Sequence, residues 1–182
     1  TSRPAERTEP TFRELHCYGS ASFNNGVMGE IGLMLAPFIL VMHLEINPAW
    51  VGVVVGARIL IDAITDPMMA YITDNHRGKM GRRRPFILIG GILLGVIAVA
   101  TWSLPPFLSD QGIKWWFAVG TVLTALSWTM FAVPHFALGI ELSPSYHGRT
   151  RVAVYKGFYE RLAGLAVPWF FAFVSWEIWG DP

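Results

Sequence analysis

The sequence predicts an all-helical membrane protein with about five spanning helices, and three observations predict it. The 182 residues are 53% hydrophobic and 14% aromatic but only 15% charged, with a mean hydropathy of +0.42. An ordinary soluble domain carries about 25% charge. Apolar runs recur at the roughly 20-residue length a helix needs to cross a bilayer, where each backbone polar group must be bonded inside its own helix. The basic residues fall almost entirely on one side of those runs. A formal net charge of +1 excludes strong attraction to nucleic acid as the main activity. The single cysteine, Cys17, excludes a disulfide framework and a cysteine-based zinc site.

Residues 1–16 are polar and are expected to form an N-terminal cytoplasmic segment, with no secretory signal. The first span is expected over 17–44, interrupted by Glu30, and the second over 48–73, interrupted by Arg58, Asp62 and Asp66. The third, 86–108, is free of charge, and the fourth, 115–140, has His135 as its titratable intruder. The fifth, 152–176, carries Lys156, Glu160 and Arg161 in its first half. Arg3, Arg7 and Arg13 precede the first span, and Arg77, Lys79, Arg82, Arg83 and Arg84 lie between the second and third. Arg149, Arg151, Lys156 and Arg161 flank or begin the fifth, while the opposite loops hold only Lys114. This asymmetry puts the N-terminus and the basic loops in the cytoplasm. Trp50, Trp102, Trp115, Trp116, Trp176 and Trp179 fall near the expected outer ends, as an interfacial aromatic belt would. The chain begins without Met and stops at Gly180-Asp181-Pro182, just past an outward helix end, so residues 17–182 read as a partial transmembrane domain.

Chemistry concentrates in the second span. Arg58, Asp62 and Asp66 recur every four residues, so they share one helix face with about 40° of drift per step. Ionisable groups at mid-membrane cost at least about 2.5–3.5 kcal/mol each and normally face a partner or a watery cavity. Arg58 can pair with Asp62, leaving Asp66 a carboxylate for a small hard cation or for a proton. A structural ion network between helices is the alternative. The following turn, Asp74-Asn75-His76-Arg77-Gly78-Lys79-Met80-Gly81-Arg82-Arg83-Arg84-Pro85, reads alone as a positive-inside anchor in which Asp74 can pair with an arginine.

Together, Arg58-x3-Asp62-x3-Asp66-Pro67 and Asp74-x3-Gly78-Lys79-x-Gly81-Arg82-x-Arg84-Pro85 resemble the major facilitator superfamily. They are most similar to its glycoside–pentoside–hexuronide:cation symporter family, of melibiose permease-like pattern. Tyr18-Gly19, Pro134-His135-x-Ala137-Leu138-x-x-Glu141-Leu142 and Tyr146-x-x-Arg149-Thr150 extend the resemblance over about residues 18–165. It implies a helical bundle of two six-helix halves, of which this chain would be most of the N-terminal one, with the C-terminal half as its missing partner. It implies alternating access coupled to sodium, lithium or proton, and no other cofactor. Asp62, Asp66 and Thr129 match the family's cation positions, the two aspartates being the metal ligands if the ion is sodium or lithium. The sugar-contacting positions depart from the pattern: they fall on Asn25, Gly26, Ala132, Phe136 and Gly157.

Substitute solute contacts are expected from Asn24, Asn25, Glu30, Trp128 and His135, with core packing or internal pairing as the competing role for each. Arg58, Asp74, Arg77, Lys79, Arg82, Glu141 and Arg149 are expected to form ion pairs and gates. The resulting expectation is a multi-pass inner-membrane symporter of a sugar, glycoside or related polar solute, in contact with lipid and not with nucleic acid. A lipid or lysolipid carrier of the same fold is the alternative, as is a non-transporting membrane fragment. An enzyme is not expected, because the five histidines are scattered without ligand spacing such as H-x-x-x-H.

Overall fold

The computed structural model describes residues 9–31, 36–42 and 44–174. The described residues form six helices: α1 (Phe12–Glu30), α2 (Ala36–Met42), α3 (Pro48–Asn75), α4 (Arg84–Trp102), α5 (Asp110–Glu141) and α6 (Tyr146–Val174). They contain no strand.

Helix ends follow local capping, and they shift the expected boundaries. α1 starts at Phe12, not 17, because Thr11 and Glu14 form a reciprocal capping box that satisfies two otherwise orphaned donors. The expected span 17–44 therefore holds most of α1 and all of α2. α4 ends at Trp102, six residues before the expected 108. Pro105 and Pro106 lack the N–H groups a further turn would need. α5 begins at Asp110 instead of 115, where the Ser109 hydroxyl accepts from Gly112 N–H at 3.2 Å. α6 begins at Tyr146 instead of 152, where Ser145 accepts from Gly148 N–H at 2.9 Å. Asn47 caps α3 through Ala49 N–H at 2.8 Å, and Pro48 and Pro85 occupy first-turn positions that need no donor.

α3, α4 and α5 are long and apolar enough to cross a membrane. α1 and α6 fall short of that standard as described: α1 carries Arg13, Glu14 and Glu30, and α6 carries five charged side chains between Arg149 and Arg161. Many apolar side chains of α3 and α4 point outward, with Leu60, Ile64, Ile92, Val96 and Val99 all exposed. That distribution suits hydrocarbon, where outward-facing leucine and isoleucine cost nothing and close packing is left to small and polar residues. The chain is a multi-pass membrane protein.

The chain divides into two units, residues 1–39 with 139–182, and residues 40–138. In the first unit α1 and α6 run parallel and pack along their length. His16 Nδ1 lies 2.8 Å from the Tyr159 hydroxyl, and the Phe12 and Tyr155 rings meet edge to face. Higher up, Gly26 lets the helices touch: a Cβ there would sit 2.6 Å from the Glu160 carbonyl oxygen and 2.7 Å from the Ala163 Cβ. In the second unit Leu40, Ile46, Val51 and Phe117 form a small core capped by Trp102. The Trp116 indole N–H there donates to the Thr101 carbonyl at 3.2 Å.

Candidate functional site

The polar groups of α3 and α5 meet inside the second unit. Helical spacing sets Arg58, Asp62 and Asp66 on one side of α3, and α5 brings Thr129 to the same level. The Thr129 hydroxyl, almost completely buried, donates to Asp66 Oδ1 at 3.0 Å. One turn away, Arg58 Nε lies 3.7 Å from Asp62 Oδ2, and both side chains are about one-fifth exposed. The second oxygen of Asp62, Oδ1, is buried without a hydrogen-bond partner among the described residues. A buried unpaired acceptor costs about 1–3 kcal/mol, more when charged, so this oxygen is a place where a cation or proton would be gained at a profit. The donor set is two carboxylates and a hydroxyl, which suits a hard cation and not a soft one. Among the described residues no three His, Cys, Asp or Glu side chains cluster.

Two solute candidates carry the same kind of signature. Asn25, on α1 in the first unit, is 7% exposed, and neither its amide nitrogen nor its oxygen has a partner among the described residues. The Trp128 indole N–H, on α5 in the second unit, is also buried and has no partner among the described residues. Asn24 is half-buried. His135 is buried and stacks on Phe131 with ring centroids 5.4 Å apart. The side chain of Glu30 lies outside the described residues, as do Trp176 and Trp179.

The expected gating residues sort differently. Asp74 Oδ1 accepts from Arg83 Nη2 at 3.0 Å, and Arg82 Nε stands at 3.9 Å. Arg83, buried beneath the turn, was not singled out by the sequence, which offers three adjacent arginines and no sign of which turns inward. Gly81 supplies the left-handed residue of that turn, at φ 92°. Arg77 and Lys79 are exposed on it. Arg149 folds back on its own corner, where Nε and Nη2 each donate at 3.4 Å to the carbonyls of Ser145 and Pro144. Glu141 is the last residue of α5. On α6, Lys156 Nζ and Glu160 Oε1 form a half-buried pair at 3.0 Å, a contact that the sequence reading placed only in the topology.

The fold and the site define a helical membrane protein with two carboxylates on one helix facing a hydroxyl from a second. Residues 17–177 match the model of the MFS/sugar transport protein family, and the chain belongs to that family. It is 28% identical to an uncharacterized symporter of Synechocystis over 76% of this chain and 26% of the relative. It is 26% identical to an Escherichia coli K12 protein named as a candidate glycoside/cation symporter, over 88% of this chain and 35% of that one. It is 27% identical to a sodium-dependent lysophosphatidylcholine symporter of Danio rerio, over 69% and 23% respectively. The chain thus spans between about a quarter and a third of the length of the curated relatives it matches.

Proposed function

We propose that the chain is the N-terminal part of a cation-coupled secondary transporter that carries a sugar, glycoside or related polar organic solute by alternating access. The observation that carries this reading is the Asp66–Thr129 hydrogen bond with the unpaired Asp62 oxygen one turn away. Asp62, Asp66 and Thr129 would hold sodium, lithium or a proton, and Arg58 would balance Asp62 when the ion is absent. Ion binding neutralises charge that is costly in a low-dielectric setting and so favours the state that accepts solute. Trp128, in the same unit as Asp62, Asp66 and Thr129, would supply a polar solute contact, since its indole N–H has no partner among the described residues. The remaining half of the transporter would close the cavity, and the protein would lie in the inner membrane with its N-terminus cytoplasmic, by the placement of its basic residues.

Uptake in vesicles made from the full-length transporter tests this. Asp66→Asn should leave solute accumulation indifferent to the ion gradient, whereas an unaltered cation dependence would sink the assignment. The second reading is a lysolipid carrier, favoured by a relative named for lysophosphatidylcholine symport. Cation flux stimulated by lysolipid and not by sugars would select it.

A further inference from the structure

The polar residues of α3 and α5 are absorbed by the transport reading, but the strap that precedes α1 is not. Glu9 Oε2 accepts a 2.8 Å hydrogen bond from the Ser143 hydroxyl, across 134 positions of sequence. Ser143 is 3% exposed, and its oxygen accepts in turn from Ser145 N–H at 3.3 Å. A Cβ on Gly148 would collide with both Ser143 Oγ and Glu9 Oε2, so the carboxylate lies directly on the first turn of α6. Arg149 closes the same corner through the carbonyls of Pro144 and Ser145. On the other side of the strap Pro10 is buried, the Thr11–Glu14 capping box fixes the start of α1, and Leu15 packs without exposure against the Tyr18–Val152 cluster. Only Pro10 separates the fastened carboxylate from the fastened helix cap.

We propose that Glu9 is a carboxylate latch that locks the N-terminal end of α1 to the α5–α6 corner, so that α1 and α6 move as one lever. The physical basis is a charge-assisted hydrogen bond set at the positive end of a helix. Glu9 thereby ties the first turn of α6, with Arg149 and Arg151, to the start of α1. The groups facing the carboxylate are the Ser145 and Ser143 hydroxyls and, further out, Arg151 and His147; together they hold it below the usual carboxylate range. Glu14, the nearest other acid along the chain, is engaged at Thr11. The latch is therefore closed near neutral pH and opens on acidification.

Hydrogen–deuterium exchange and thermal unfolding of the full-length protein in detergent test the latch, and neither needs a transported solute. Glu9→Gln and Ser143→Ala should each speed exchange severalfold in the peptide covering residues 142–151. The double variant should be no faster than the more affected single. The melting-temperature gap between wild type and Glu9→Gln should close as the pH falls through the carboxylate range, because the wild-type latch then carries no charge. Wild-type exchange in Glu9→Gln, additive effects in the double variant, or a gap that persists in acid would each overturn the proposal.

Discussion

At the residue scale, the informative atoms are polar and unpaired. Asp62 Oδ1, both polar atoms of Asn25 and the Trp128 indole N–H are four buried groups without a hydrogen-bond partner among the described residues. Trp128→Phe removes one donor and keeps the ring, so under the transport reading it raises the solute KM while leaving the ion concentration for half-activation unchanged. A parallel change in both would place Trp128 in the ion site instead. Thr129→Ala strips Asp66 of its hydrogen bond and should weaken apparent ion affinity by about tenfold, the effect of about 1.4 kcal/mol, as read from uptake against ion concentration. The recurrence of Arg58, Asp62 and Asp66 every four residues was legible because helical periodicity fixes their common face whatever the neighbours do. Thr129 was legible only through resemblance, since nothing in the spacing ties it to a residue 63 positions earlier.

At the element scale, the apolar runs located the helices, while side-chain caps set their ends. Thr11-x-x-Glu14 is a readable capping box, yet its polarity placed it outside the expected first span. Ser145 and Ser109 extended α6 and α5 in the same way, through local hydrogen bonds that hydropathy does not register. The glutamate in the capping box and Glu9 share a pH dependence. Both carboxyls are held below the ordinary value of 4.5, Glu14 by Thr11 and Glu9 by Ser145 and Ser143. A depressed carboxyl contributes stability above its unfolded pKa and loses it as pH falls through the folded one. The contribution of these two carboxylates to the melting temperature should thus be constant near neutrality and be lost below about pH 4.5, a loss absent from a Glu9→Gln, Glu14→Gln variant. Packing between elements was the least legible level. In the sequence Gly26 stands at a sugar-contacting position of the resembled pattern, with no sign of which helix approaches it; the Glu160 carbonyl and Ala163 lie within 2.7 Å of where its Cβ would be. Neither neighbour can swing away, so Gly26→Ala should force α1 and α6 apart and lower the melting temperature, whereas Gly29→Ala, which meets open space, should not.

At the scale of the whole molecule, α3 and α4 carry outward-facing apolar surface, and α3 also carries a half-buried ionisable pair. Lipid accepts the first at no cost, and the second is the feature on which the transport reading rests. The family match over residues 17–177 gives the chain its class, and the chain spans about a quarter to a third of the length of these relatives. The solute stayed illegible because the pocket positions depart from the pattern of known members, so resemblance carries the ion site further than the substrate. The most direct test of the central claim is a thermal-stability titration of the detergent-purified full-length protein with sodium, lithium and choline at constant ionic strength, with Asp66→Asn alongside. A ligand at 100 times its dissociation constant stabilises by roughly 2.7 kcal/mol, a readable shift. The account predicts stabilisation by sodium or lithium but not choline, or else by protons in a matching pH titration, abolished in either case by Asp66→Asn. Identical responses of wild type and variant to all three cations and to pH would contradict it.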